Sequence, residues 1–277
     1  MTKFFQNAIF FCSASLFLIA CGANNATVAG ADNTASGLSE GKYYNPAISY
    51  GTLKDGRDGQ VYRTVQIGEQ TWMAENLNFD YNVGTAASYC YNNSKDSSAK
   101  YGRLYTWSAA MDSAAIFSDG GKGCGYGATC TVNGKVQGVC PAGWHLPDTR
   151  EYEALAFYVE FQTTDDAGYV LKATSGWRSH NGVSGDGSDE FGFGALPAGY
   201  GSVGRNEFEF YGVLLYTDFW TSSSSEVCAD ASYGSDDYYA ACVLPLYASS
   251  STIGHEGNGL FYKESKSRAY PIRCMKD

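Results

Sequence analysis

The chain has 277 residues, 44% of them hydrophobic and only 17% charged, which is enough apolar material for a sizeable core and excludes disorder throughout. Its 33 glycines and 22 tyrosines favour short strands and ordered loops over helical bundles. Lys and Arg number 19 against 29 Asp and Glu, a formal charge of −10, so no basic footprint exists for a phosphate backbone and nucleic acid is excluded as a partner.

In chain order, Lys3 precedes an apolar run from Ala8 to Ala20 that is too short to span a bilayer and fits the core of a secretory signal over residues 1–20. The run ends in Leu18-Ile19-Ala20-Cys21, and small residues before a cysteine resemble the bacterial lipoprotein signal, in which cleavage leaves Cys21 carrying the lipid. Gly22 in place of an aspartate implies sorting to the outer membrane. Residues 21–41 are rich in Ala, Asn, Gly, Ser and Thr without apolar period, as expected of a flexible tether. The remainder, 42–277, reads as one globular domain. Gly59 to Leu77 alternates Val65 and Ile67 against Thr64 and Gln66 and turns at Gly68-Glu69, the pattern of a hairpin.

Two main helices are predicted. Over Arg103 to Ile116, Leu104, Trp107 and Met111 fall on one stripe. In the second, Asp148 caps, Glu151 reaches back, and Tyr152, Leu155 and Val159 repeat the helical spacing, while Pro147 bars an earlier start. A helical turn is expected at Asp165 to Leu171. Phe191–Leu196, Phe208–Tyr216, Phe219–Ser223, Tyr238–Leu246 and Ile272–Met275 read as short strands, and the serine runs Ser222–Ser225 and Ser249–Ser251 as solvated loop or edge. Helices first and antiparallel strands later make the fold class α+β.

Export makes disulfides the default for the seven cysteines beyond Cys21. Cys124 and Cys130 can close a small glycine-rich loop. Cys140 and Cys274 would join the middle of the domain to its last strand, removing roughly 4 to 5 kcal/mol of unfolded-state entropy. Cys228 and Cys242 form the third pair and Cys90 is left over. No Cys-x-x-Cys occurs and His145, His180 and His255 are isolated, which disfavours a metal centre.

Several strings resemble the Fibrobacter succinogenes major paralogous domain, a bacterial surface family: Asp58-Gly-Gln-Val-Tyr62, Thr71-Trp-Met-Ala-Glu-Asn-Leu-Asn78, Cys90-Tyr-Asn-Asn93, Tyr101-Gly-Arg-Leu-Tyr-Thr-Trp107, Gly138-Val-Cys-Pro-Ala-Gly-Trp-His-Leu-Pro147, Gly192-Phe-Gly-Ala-Leu-Pro-Ala-Gly199, Phe219-Trp-Thr-Ser-Ser223 and Ile272-Arg-Cys274. The resemblance runs from about residue 55 to the C-terminus and implies a disulfide-stapled fold like that of C-type lectins and formylglycine-generating enzymes, an exported location and a lipoprotein signal, but no established activity. Members commonly carry a second cysteine where Ser98 stands, which supports leaving Cys90 out of the pairs. Cys228 and Cys242 look like additions to the family pattern, and Pro271 stands where members have a small polar residue.

The candidate chemistry is thin. Cys228 and Cys242 are the thiols outside the pairs that look structural, and the copper-dependent oxidase reading would fall on them, but nothing around them matches that chemistry. His145 packs before a helix, and no Gly-x-Ser-x-Gly elbow occurs, so no catalytic constellation is recognised. Asp186, Asp189 and Glu190, with Asp236 and Asp237, can offer oxygens to Ca²⁺ or the acid pair of a hydrolase; otherwise no cofactor is expected. Asp55-Gly-Arg-Asp-Gly59 is read as a turn with an internal ion pair rather than a calcium loop. Trp177, Tyr200 and Trp220, with Tyr233 and Tyr238, are candidates for stacking on sugar rings. The reading that unites these is a non-catalytic module, anchored to the outer membrane or cell surface by lipid, that binds glycan or a surface protein through loops between Trp177 and Leu246. An envelope assembly protein without a small ligand is the alternative, and a hydrolase or oxidase the remote one.

Overall fold

The computed structural model describes residues 43–132, 134–205, 207–228, 238–254 and 259–277. Strand β1 (Gly51–Lys54) enters the Asp55–Gly59 turn, and β2 (Val61–Ile67) and β3 (Gln70–Met73) form the expected hairpin, with Tyr62, Val65, Ile67 and Trp72 buried. Arg57 pairs with Asp55 at 2.7 Å in that turn, and its guanidinium lies over the rings of Phe79 and Phe117 at 4.0 and 4.6 Å. After β4 (Asn82–Val83) and β5 (Ala86–Tyr89) comes a helix not anticipated, α1 (Lys95–Tyr101), capped by the Ser94 side chain, which accepts from Ser97 N. Gly102 ends it at φ 72°, against Asn76 and the Leu77 carbonyl, where a Cβ would lie within 3 Å of both.

The helix predicted over Arg103–Ile116 is instead a strand, β6 (Leu104–Thr106), and one helical turn, α2 (Trp107–Ala110). Leu104, Trp107 and Met111 are buried, as the stripe requires. Distant strands override the local period: Tyr105 pairs with Tyr270 on one side and Ser88 on the other, and Thr106 with Ala269. Farther on, β7 (Trp144–His145) precedes α3 (Thr149–Gln162) and α4 (Ala167–Leu171), close to where the sequence places its second helix and helical turn. Glu151 N donates to Asp148 Oδ1 and Asp148 N to Glu151 Oε2, both at 3.0 Å, closing the capping box.

Strands β8 (Tyr200–Val203), β9 (Phe208–Tyr211), β10 (Tyr216–Ser224), β11 (Ala240–Tyr247), β12 (Tyr262–Ser265), β13 (Ala269–Tyr270) and β14 (Met275–Lys276) complete the described chain. Four expectations fail here. Phe191–Leu196 is not a strand: its ladder is limited to the isolated bridge between Ala195 and Lys172, while the Phe193 carbonyl accepts from Arg273 and the Ala195 carbonyl from Trp177 as well as from Ala173 N. Phe208–Tyr216 breaks at Gly212, whose φ of 74° and packing against the Tyr216 ring leave no room for a Cβ. The Ser222–Ser225 run is not solvated: Ser222 and Ser225 are buried in and beside β10. Only Met275 of the predicted Ile272–Met275 strand joins a ladder.

The ladders are antiparallel and form three sheets, ordered β1-β2-β3-β14-β7, β10-β11-β12 and β4-β5-β6-β13-β8-β9. The last strand therefore sits inside the first sheet. One core gathers Tyr105, Trp107, Trp220 and the Cys140–Cys274 bridge, and another places α3 over Trp72, Phe193 and Phe219. Disulfides join Cys124 to Cys130, Cys140 to Cys274 and Cys228 to Cys242, while Cys90 is buried outside these pairs with Arg103 Nη1 at 3.3 Å from its sulfur. The architecture is α+β. No helix among the described residues is long and apolar enough to cross a membrane. Residues 1–42, with the signal, Cys21 and the tether, lie outside the described residues.

Candidate functional site

Most residues singled out as ligand contacts have structural duties. Trp220 and Trp177 are buried, and their indole N–H groups donate to the carbonyls of Tyr105 at 2.8 Å and Ala195 at 2.9 Å, so neither ring is offered to a sugar. Asp189 is buried too. It accepts from Gly194 N at 2.7 Å and Asn45 N at 3.2 Å, and burial pushes its carboxyl up to about 7. Asp186 accepts from Trp177 N and Ser184, and Glu190 is exposed. Asp186 and Asp189 thus fasten backbone. Tyr200 is half-buried in a stack with Tyr211, Tyr216 and Tyr270, its ring centre 5.3 to 5.8 Å from theirs. His145 is buried, with Nδ1 2.7 Å from Asp277 Oδ1 and Nε2 3.0 Å from Glu151 Oε1. Cys228 and Cys242, the pair considered for copper, are bonded to each other. Asp236, Asp237, Tyr233 and His255 lie outside the described residues. Among the described residues no group of three or more His, Cys, Asp or Glu is placed to hold a metal ion.

The described residues also form several concave sites, two of which bear most on binding. A cleft of about 300 Å³ is lined by Tyr43, Tyr44, Glu75, Asn78, Lys100 and Arg273 among others. Its floor is rigid. Arg273 is fully buried, donates to Asn76 Oδ1 at 2.7 and 3.0 Å and to the carbonyls of Met73 and Phe193, and lies over the Phe193 ring at 4.4 Å. Burial lowers its pKa to about 10. Residues 43–45 strap the rim, with Tyr44 Oη donating to Glu75 at 2.5 Å and Asn45 tied to Asp189. Glu75, Asn76, Asn78, Gly102, Gly194 and Arg273 all come from the strings that carry the family resemblance. The cleft and the strings describe the same structural knot.

The second site is an open groove of about 460 Å³. One wall is the loop closed by Cys124–Cys130, which is held to the start of β11 by a bond from Gly127 N to the Tyr238 carbonyl at 3.0 Å. Tyr126 projects from that loop, 59% exposed, with its ring 5.0 Å from Tyr239, itself 5.0 Å from Tyr238. The facing wall is the β8–β9 hairpin, where Phe208 stacks flat on Tyr89 at 3.9 Å. Hydroxyls line the floor: Thr85, Thr106, Ser108, Ser113 and Ser267. Beneath them Lys266 is buried, donating to the Ala128 carbonyl at 3.1 Å and lying over the Trp107 ring, so its charge is held away from solvent. Flat aromatic faces on a rigid rim, with hydroxyls between, can stack on the apolar face of a pyranose and bond its hydroxyls. Around this groove the Cys124–Cys130 loop, the Phe208–Tyr216 stretch and Tyr238, beside the rim, were legible in sequence. Tyr126 carried the one overlooked signal, an aromatic inside a disulfide-closed glycine loop.

Residues 65–276 match the family model of the Fibrobacter succinogenes major domain. The chain belongs to this family. No curated protein and no solved structure matches it. Family membership accounts for the strings clustered around Arg273, since the matched span contains nearly all of them. The groove lies within the matched span as well, but its wall around Tyr126 falls between the quoted strings.

Proposed function

We propose that this Fibrobacter succinogenes major domain protein is a non-catalytic surface module with a C-type-lectin-like fold, exported, attached through lipid on Cys21 to the outer membrane, and binding neutral polysaccharide in the groove between the Cys124–Cys130 loop and the β8–β9 hairpin. One observation carries the reading: a concave surface joins exposed tyrosine rings to a floor of hydroxyls, with the lysine beneath it turned inward. The lipoprotein-like signal and the Ala-, Asn-, Gly-, Ser- and Thr-rich composition of residues 21–41 support presentation to the outside. Among the described residues the groove lining is uncharged apart from Lys266, so it offers no carboxylate to calcium. A glycan array and isothermal titration with the full chain, with and without calcium, test it. Binding of a plant or microbial polysaccharide that Tyr126→Ala weakens at least tenfold is the expected result. No binding to any polysaccharide, or binding indifferent to Tyr126 and Phe208 substitution, overturns it. Mass spectrometry of the mature N-terminus tests the anchor, and an unmodified Cys21 refutes it.

A further inference from the structure

The rim of the Arg273 cleft is closed by residues 43–45, a piece of chain that lies in no strand or helix and outside the matched span. Each of its three residues is nonetheless received. The Tyr43 ring lies 4.5 Å from the Lys100 ammonium, and Tyr44 places its hydroxyl on Glu75 Oε1 at 2.5 Å with the Arg63 guanidinium over its ring at 3.8 Å. Asn45 gives its backbone N–H to Asp189 Oδ2 at 3.2 Å and its carboxamide N–H to the Asp189 carbonyl at 3.0 Å. Side-chain slots combined with capture of main-chain N–H are how a protein surface recognises a peptide segment.

The receiving groups do not depend on what they receive. Glu75 is fixed by Arg63, whose backbone N donates to Oε2 at 2.5 Å and whose Nη1 stands 3.3 Å from Oε1, and Asp189 is fixed by Gly194 N at 2.7 Å. The occupant is held less firmly. Residues 43–45 are half-buried, Pro46 and Ala47 behind them are exposed, and Ala47 N and Ile48 N close the turn on Asn45 at 3.0 and 3.2 Å. Nor does the segment fill the cleft: about 300 Å³ stays open beside the two tyrosines, and Asn78, on its wall, has an Oδ1 that is buried with no hydrogen-bond partner among the described residues. A segment joined by so short a connection acts at an effective concentration of the order of millimolar. It hides the site from a competitor, whose apparent affinity falls to the fraction of chains with the segment lifted.

We propose that this cleft is a peptide-binding site, that Tyr43–Asn45 fills it as a built-in competitor, and that its ligand is the same segment of a second copy. The occupant states the chemistry required: a phenol for Glu75 beneath Arg63, followed by a main-chain N–H and a carboxamide for Asp189. A second copy meets it in full, because exchange of the segment about Pro46 and Ala47 replaces every contact by an identical one. The cleft shares no residue with the polysaccharide groove, so each assignment stands or falls alone. Fluorescence anisotropy with the full chain and a labelled Tyr-Tyr-Asn-Pro-Ala peptide tests the site. Tyr44→Ala in the chain should tighten peptide binding at least tenfold over wild type, and Glu75→Gln added to it should remove the gain. A peptide with phenylalanine in second place should bind the Tyr44→Ala chain about tenfold less tightly, the worth of a hydrogen bond to a charged acceptor. That comparison needs no change to Glu75 and stands even where Glu75→Gln fails to fold. Sedimentation velocity tests the source: Tyr44→Ala and Glu75→Gln chains, each monomeric alone, should associate when mixed, the first supplying the intact cleft and the second the free segment. Circular dichroism matching wild type qualifies both variants. Peptide binding equal in wild type and Tyr44→Ala, binding indifferent to the phenolic hydroxyl, or a mixture of folded variants that stays monomeric overturns it.

Discussion

Arg273 shows at the level of one side chain how a buried charge is kept. Burial lowers its pKa to about 10, so keeping the proton there costs a few kcal/mol, at roughly 1.4 kcal/mol per tenfold change in acidity. Against this stand Asn76 Oδ1 and the carbonyls of Met73 and Phe193, acceptors that would be left short of a donor at about 1–3 kcal/mol each. The second effect wins, so Arg273→Met should destabilise by about 2 kcal/mol, read as a lower urea midpoint at unchanged slope. Arg273→Lys should recover little, because one ammonium cannot reach acceptors arranged for a planar fork. Asp218 presents the opposite case. It is buried in β10, accepts from Tyr262 Oη at 2.9 Å, and its Oδ1 has no hydrogen-bond partner among the described residues. Burial, assisted by the Glu264 charge, pushes it up to about 8. The unfolded carboxyl ionises near 4. Below that pH both states hold the proton and the full stability is present; as pH rises from about 4 to about 8 the unfolded state alone releases it and stability falls, levelling above about 8. Asp218→Asn keeps an acceptor for Tyr262 and cannot ionise, so the difference in unfolding free energy between variant and wild type should grow in the variant's favour across that interval. A flat difference would show that Asp218 folds ionised.

Helix α3 is the element that the sequence specifies most completely, because cap, box and period lie within fifteen residues. Asp148→Ala removes the acceptor for Glu151 N and should cost about 1 kcal/mol. Glu151 also meets His145 through Oε1, so Glu151→Ala should cost more than Asp148→Ala, and chemical denaturation of both compares them directly. The stretch at Arg103–Ile116 was illegible for the converse reason. Its apolar spacing suits a helix, but Ala269 and Tyr270, more than 150 residues away, pair with it and make it a strand. Phe191–Leu196 misled similarly, since nothing local announces that its carbonyls belong to Arg273 and Trp177. The groove suffers most from this distance. Its walls come from β5, the Cys124–Cys130 loop, β9 and the turn after β12, and only folding brings Tyr89, Tyr126, Phe208 and Ser267 to one place. Trp177 and Trp220 drew notice as large aromatics, and the same size sent them into the core.

The whole molecule is closed by its own last strand. β14 lies between β3 and β7, pairing Met275 with Trp72 and with His145, so the first sheet is incomplete until the C-terminus arrives. Such long-range pairing carries a loop-closure cost that a covalent link to the same segment offsets. Cys274 supplies that link, since its bridge to Cys140 spans 134 residues against 14 for Cys228–Cys242 and 6 for Cys124–Cys130. On chain entropy alone these remove roughly 5, 3 and 2 kcal/mol from the unfolded state. The longest bridge is also the most enclosed, with both cysteines fully buried beside Trp107 and Trp220, whereas the shortest stands at the groove wall. Paired Cys→Ala substitutions should therefore lower the thermal midpoint in the order Cys140/Cys274, Cys228/Cys242, Cys124/Cys130. The first should fall about 4–8 °C below the second, at roughly 2–4 °C per kcal/mol for a domain of this size. Loss of Cys124–Cys130 should lower the midpoint least of the three, by about 4–8 °C, yet loosen the loop that holds Tyr126 and so weaken polysaccharide binding. Differential scanning calorimetry and titration on the same three variants separate the two effects, and equal midpoints for all three would show that the bridges do not act through the closure they impose on the unfolded chain.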